Sequence, residues 1–159
     1  MTERLTQTPS QTVGPFFSIG CSREPQNVIA SAAGGERIRI EGAVFDGAGA
    51  PVPDAMLEVW HPFVGFGRAA TDGDGRYFFE AVRAPYLNVV VFARGMLVHA
   101  FTRMYFSDNA QNASDLVLTR VDAARRSTLI AHRTTRDRMA VYEWDVHLQG
   151  DAETVFFDL

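Results

Sequence analysis

Metal and acid–base chemistry draws most often on histidine, and this chain has four: His61, His99, His132 and His147. No two stand at the His-x-His or His-Glu-x-x-His spacing that places paired imidazoles on one strand or one helix face, so the sequence holds no local metal motif. His99 and His147 fall in stretches that read as strand, where an outward, solvated imidazole is expected. His61 follows Trp60 at a strand end and reads as a turn residue, with a pocket border as the alternative. Nucleophilic chemistry has little to build on: there is no Gly-x-Ser-x-Gly elbow, and Cys21, the only cysteine, has no base beside it. Cys21 reads as structural and cannot close an internal disulfide. Asp72-Gly73-Asp74-Gly75 has acidic residues at the spacing of a calcium loop, but its glycine comes too early and the twelfth position is Arg83 instead of a bidentate glutamate. A β-turn is expected there. Gly34-Gly35 lacks the strand-to-helix setting of a phosphate loop and reads as linker.

Arg94 has a more suggestive setting. It ends the apolar run Val89 to Ala93 and is followed at once by Gly95, so its guanidinium stands at a strand end, where a planar fork of donors suits a carboxylate. The same position also reads as a solvated arginine in a hairpin turn, the commoner case, and the residues alone leave both readings open. Thr12, Gly14 and Pro15 lie in a polar N-terminal stretch and read as part of an arm that packs on something, with no chemistry of their own.

The elements that would position these residues are strands. Ile38, Ile40 and Val44 alternate with Arg37, Arg39 and Glu41 over Arg37 to Phe45, and Tyr142, Trp144, Val146 and Leu148 alternate with Glu143, Asp145 and His147. Ala55 to Trp60, Arg76 to Ala81, Leu87 to Ala93, Val98 to Phe106 and Thr154 to Asp158 are further strand candidates, rich in branched or aromatic residues. Asp46-Gly47-Ala48-Gly49 and Asp72-Gly73-Asp74-Gly75 mark turns. Asp122 to Ala131 is the single helical candidate, with Asp122 as cap and Leu129 and Ile130 facing inward. The pattern predicts an all-β fold, an antiparallel β-sandwich with one short peripheral helix. Residues 1–35 form an extended N-terminal arm in this reading and residues 36–159 the sandwich domain.

Composition narrows the function classes. A net charge of −4 offers no basic field to gather phosphates, which argues against a nucleic-acid partner. The longest apolar runs fall far short of the roughly 20 residues a bilayer span takes, and Met1-Thr2-Glu3-Arg4 opens no apolar leader. A cytoplasmic protein without membrane contact is expected.

Beyond these physical readings, five segments carry a resemblance. TPSQTVGPFFSIG (Thr8 to Gly20) is followed by DAMLEVWHP (Asp54 to Pro62) with FGRAATDGDGRYFF (Phe66 to Phe79), APYLNVVVFARG (Ala84 to Gly95), TRMYFSD (Thr102 to Asp108), and a tail from RRSTLIAHR through QGDAETVFFDL. Together they resemble, over nearly the whole chain, the α chains of the intradiol ring-cleavage dioxygenases that act on protocatechuate. The resemblance implies a β-sandwich α subunit paired with a homologous β subunit in a hetero-oligomer of αβ protomers. It implies one non-haem Fe(III) per protomer, bound by two tyrosinates and two histidines of the β chain, phenolate oxygen being a hard donor suited to the higher charge. With O2, protocatechuate (3,4-dihydroxybenzoate) would open between its hydroxylated carbons to 3-carboxy-cis,cis-muconate.

Against that ligand pattern, the His-x-His falls at Tyr86-Leu87-Asn88, the region from His61 to Phe66 has no tyrosine, and the second ligand tyrosine has no counterpart before Pro85. The resemblance thus implies no metal ligand and no catalytic residue in this chain alone. Thr12, Gly14, Pro15 and Arg94 match the α-chain positions that line the partner's substrate pocket, Arg94 towards the substrate carboxylate. Phe16 and Phe17 would anchor the arm on the partner, since aromatic side chains dominate many interfaces. The chain is also expected to be short, relative to such α chains, between Trp60 and Phe66 and between Ala81 and Pro85. Two rival readings are a self-sufficient intradiol catechol dioxygenase, which lacks its ligands here, and a non-enzymatic β-sandwich binding module.

Overall fold

Strands form where apolar and polar residues alternate, and they stop where Asp and Gly supply turns. The computed structural model describes residues 8–14, 16–23, 26–29, 34–63 and 65–158. Its strands are β1 (Val28–Ile29), β2 (Arg37–Phe45), β3 (Met56–His61), β4 (Gly65–Ala70), β5 (Arg76–Val82), β6 (Tyr86–Phe92), β7 (Ala100–Phe106), β8 (Ile130–Arg136), β9 (Met139–Glu143) and β10 (Val146–His147). In β2, Ile38, Ile40 and Val44 are buried as the alternation predicts. Tyr142, Trp144 and Val146 are likewise buried while Glu143 and Asp145 are exposed. Both predicted turns are closed by their own aspartate. Asp46 Oδ1 accepts from the backbone N–H of Ala48 and Ala50, and Asp72 Oδ1 from those of Asp74 and Arg76. The Asp72 carboxylate is thereby committed to amides of its own turn, as a β-turn requires.

The sheet runs in the order β1-β5-β2-β9-β8-β7-β6-β3-β4, with β10 added to β2. β8 belongs to both halves: residues 132–136 pair antiparallel with β9, and Ile130 and Ala131 pair parallel with Tyr105 and Phe106 of β7. The sheet folds at this strand, so that the half holding β2 and β5 faces the half holding β3 and β6. Apolar side chains fill the space between, with Phe79, Leu57, Leu87, Val91 and Phe106 almost wholly inaccessible; each such burial contributes about 1.5–3 kcal/mol. The two ends of the order nearly meet: the Arg68 N–H of β4 donates to the Gln26 carbonyl just before β1 at 2.8 Å, and Ile29 packs over Gly67.

Several expectations need correction. The sheet is mixed: β1 with β5, β2 with β9, β2 with β10 and β7 with β8 pair parallel, pairings that alternation cannot specify because both directions have period two. The segment Asp122 to Ala131 is not an α-helix. Asp122 Oδ1 turns back onto the Ala124 N–H, a short 3-10 turn covers Arg126–Leu129, and Ile130 already belongs to β8. Leu129 does point inward, into a smaller cluster with Tyr105 and Leu118. The α-helix lies instead at Phe16–Cys21 (α1), within the stretch expected to be extended, and Val28–Ile29 of that stretch pairs with β5. Six residues without a capping box nucleate poorly by themselves; here Arg68 supplies a cap, its Nη1 donating to the Cys21 carbonyl at 3.0 Å. Residues 154–158 join no ladder. They are fastened beside β7 by the Thr102 hydroxyl, which donates to the Val155 carbonyl, and by the Phe157 N–H, which donates to the Phe101 carbonyl.

Gly42 has inward parity in β2, between Ile40 and Val44, and the Trp144 carbonyl takes the room a side chain would need. That oxygen also accepts the Tyr77 hydroxyl at 2.6 Å, and a Cβ on Gly42 would stand 1.8 Å from it. Gly42→Ala is expected to cost about 3 kcal/mol, the upper end of overpacking losses because backbone must move, and to lower Tm by roughly 6–12 °C. Thermal unfolding checks this; a Tm within about 2 °C of the parent would mean that the strand shifts freely.

Candidate functional site

Strand β6 positions the first candidate. Leu87, Val89 and Val91 are buried with the adjoining Ala93, so the chain leaves the sheet at Ala93 and turns at Arg94 and Gly95. Gly95 takes φ 87°, a conformation that suits a residue without Cβ. Its N–H donates to Thr12 Oγ1 at 2.8 Å, a hydrogen bond across 83 residues of sequence. Thr12 and Arg94, distant in sequence, are thereby brought to one turn. The Arg94 side chain is 55% exposed, and its Nη2 lies 2.5 Å from Asp54 Oδ2. Gly14 is exposed, and a methyl group on its Cα would meet no atom within 4 Å. Pro15 lies outside the described residues, as does the side chain of Phe17.

Beside this turn, Val13 of the arm and Phe92, Met96 and Leu97 line a cavity of about 300 Å3. Phe16 and Ile19 of α1 are 80% and 73% exposed. The Arg68 guanidinium that caps α1 lies 5.7 Å from the ring centre of Phe66, which stacks on Trp60 at 4.7 Å, and both rings are exposed. Arm, turn and the β3–β4 hairpin therefore present apolar side chains to solvent, and among the described residues no reacting group stands between them.

The second candidate region is Tyr86-Leu87-Asn88. The β6–β7 register sets Asn88 opposite Arg103 and Tyr86 opposite Tyr105. Arg103 Nε donates to Asn88 Oδ1 at 2.9 Å, and its guanidinium carbon lies 4.2 Å from the Tyr86 ring centre. Tyr105 donates its hydroxyl to Asp115 Oδ1 at 2.9 Å. Burial pushes the Tyr105 phenol up to about 12, away from the phenolate that Fe(III) binds. Burial also opposes the charge of Asp115, but hydrogen bonds from the Leu118 N–H, the Tyr105 hydroxyl and the Val117 N–H outweigh it and hold the carboxyl below its usual range. A guanidinium seated on the amide and the ring at 86–88, beside a phenol held neutral, does not fit a ferric ion. Among the described residues no group of three or more His, Cys, Asp or Glu could hold a metal.

The histidines are placed otherwise than expected in part. His61 is the last residue of β3 and is buried; its Nδ1 accepts from the Phe63 N–H, so Nε2 carries the proton and donates to the Val82 carbonyl at 3.1 Å. Burial holds its pKa down, which favours the neutral ring, and neither nitrogen is open. His99 is exposed in the loop before β7, and His147 is half-buried and stacked on Phe45 at 5.0 Å. Sequence reasoning missed Asp54 and Arg103. Asp54 carried a faint signal, a turn after Pro53; the Arg103–Asn88 pair follows only once the β6–β7 register is known.

No protein-family model matches the chain. The "Protocatechuate 3,4-dioxygenase alpha chain" of Burkholderia cepacia is 42% identical over 194 aligned positions, which cover 98% of each chain. Since 194 positions exceed the 159 residues present here, gaps open in this chain. The beta chain of the same organism's enzyme is 29% identical over 154 positions, covering 73% of this chain and 66% of that one. Among solved structures, the dioxygenase domain of a carbohydrate-binding fusion protein from Streptomyces sp. SirexAA-E superposes with a TM-score of 0.63 at 18% identity, covering 90% of this chain and 99% of that one.

The Thr12–Gly95 bond is an exposed hydrogen bond, of the kind that contributes ~1 kcal/mol. Thr12→Val keeps the shape and removes the acceptor. Hydrogen exchange should show the Gly95 amide exchanging about fivefold faster in the variant, with β6 amides unchanged; equal rates would mean that the arm does not hold this turn.

Proposed function

Since the chain belongs to the intradiol ring-cleavage dioxygenases, among the protocatechuate 3,4-dioxygenase α chains, we propose that it forms the pocket-completing half of an αβ enzyme that cleaves protocatechuate with O2 to 3-carboxy-cis,cis-muconate. The observation that carries this reading is the meeting of Thr12 and Arg94 at one open turn. A guanidinium there is more than half exposed, with no reacting group beside it among the described residues, which is half of a site. The other half comes from a homologous β subunit that holds the Fe(III) and handles the ring and O2.

In this reading residues 1–35 are the docking arm and residues 36–159 the domain it extends from. Thr12, Gly14 and Pro15 wall the partner's pocket, and the exposed Phe16 and Ile19 bury against the partner, with Trp60 and Phe66 continuing the apolar surface. Gly14, with open space around its Cα, allows another backbone to approach closely. Arg94 supplies positive charge and a two-pronged donor edge to the ring carboxylate of protocatechuate, a group that catechol lacks. Arg94 thus acts on binding and selection. Among the described residues no helix is long and apolar enough to cross a membrane, and a cytoplasmic location belongs to the same proposal.

Expressed with its β chain, the protein should yield a complex with iron and protocatechuate cleavage, both absent from this chain alone; a chain that binds iron and cleaves by itself overturns the division of labour. Within the complex, Arg94→Ala should raise KM for protocatechuate roughly tenfold or more, as loss of a hydrogen bond between charged groups does, and leave KM for catechol little changed. An unaltered preference between the two substrates would remove Arg94 from recognition. Deleting the arm before Ser18 should weaken assembly on gel filtration, and a complex of unchanged stability would refute the docking role.

A further inference from the structure

Asp54 is set in a turn that has little freedom. Thr71 is buried and clasps the turn on both sides: its hydroxyl donates to the Val52 carbonyl at 2.8 Å, and its N–H donates to the Ala55 carbonyl at 2.8 Å. Ala55 is fully buried, and Asp54 itself takes φ 65°, in the left-handed region that few residues other than Gly, Asn and Asp accept. From this clasped turn the carboxylate reaches Arg94 Nη2 at 2.5 Å. Arg94 is the looser partner, a long side chain more than half exposed on a glycine turn. An arginine left free there would lose much rotamer entropy on meeting a ligand. Held by Nη2, it has lost that freedom already, and the guanidinium donors that Asp54 does not occupy are left to face outward.

We propose that Asp54 is the positioning residue for Arg94, fixing the guanidinium so that its free edge meets the carboxylate of a carboxylated catechol. Asp54 touches no substrate; it acts through Arg94, and the inference rests on the recognition role proposed for Arg94. A bland surface ion pair, the commoner fate of such contacts, is the outcome that would defeat it.

The test uses the complete αβ enzyme and measures KM and kcat for protocatechuate and for catechol. Asp54→Gly is the informative variant, because glycine keeps the left-handed backbone without strain and removes the carboxylate. Its KM for protocatechuate should rise about tenfold, with kcat and the KM for catechol changing by less than about twofold. Asp54→Asn, which tolerates the same φ and retains an acceptor for Nη2, should recover most of the loss. An unchanged protocatechuate KM in Asp54→Gly overturns the proposal, as does an equal shift for both substrates, which would mark a structural turn residue. Arg94→Ala run alongside separates the two claims. If it abolishes the discrimination while Asp54→Gly leaves it intact, only the positioning role is lost; if it leaves the discrimination intact, both roles fall.

Discussion

The parity of β6 governs what both ends of that strand can do. Leu87, Val89, Val91 and the adjoining Ala93 are locked into the core, and a slip of one residue would turn them all to the outside, at a cost of several buried side chains at once. With that parity fixed, Tyr86 and Asn88 stand on the other face at the start of the strand, and Arg94 is delivered two residues beyond Phe92, in the turn that ends it. The β7 register then places Arg103 against Asn88 and Tyr105 against Tyr86. One strand thus carries a closed polar cluster at its start and an open guanidinium at its end.

The closed end has the chemistry of a cation site whose cation is a side chain. Arg103 lies over the Tyr86 ring and donates to Asn88, Tyr105 donates to Asp115, and Asp115 in turn accepts two backbone N–H groups at the start of a 3-10 turn. Each polar atom named there has a partner inside the chain, so the cluster gains its stability from folding and asks for no ligand. The open end differs in kind. Among the described residues Arg94 pairs with Asp54, and it shares its turn with Thr12, while its side chain stays more than half exposed. The reaction proposed for the assembled enzyme therefore needs nothing from the first end and a bordering contact from the second.

Much of this order is legible in the sequence, and the limits have physical causes. Arg37–Phe45 is recovered residue for residue as β2, and Tyr142 to Val146 alternate as predicted, because burial on one face imposes period two whatever the neighbouring strand does; beyond them His147 and Leu148 are both half-buried. Direction of pairing leaves no such mark, so the parallel contacts of β2, β7 and β8 appear only in the fold. Gly65–Ala70 escaped as well, since two glycines, two alanines and an arginine hide a strand whose Gly67 must be small beneath Ile29. The helix at Phe16–Cys21 depends on a cap from Arg68, 47 residues away in sequence. The candidate site divides in the same way. Arg94 could be singled out by its place after an apolar strand, and Thr12 by resemblance; their meeting at Gly95 and the Asp54 contact are tertiary facts.

The end of the arm is built into the sheet by β1, while its start is placed by an exposed contact. At its start Gly95 donates one exposed hydrogen bond to Thr12, contributing ~1 kcal/mol, and Val13 lines a cavity with Phe92 and Met96. Against this stand Phe16 and Ile19, whose exposed side chains would each contribute about 1.5–3 kcal/mol if covered. Covering these two side chains would therefore add more than that hydrogen bond contributes, and among the described residues nothing covers them. Direction and stability come from different sources: Thr12 aims the arm along the turn that carries Arg94, and a partner would hold it there. A pocket built in this way is complete only in the assembly, because the residues proposed to border it lie beside the exposed side chains proposed to seat the partner.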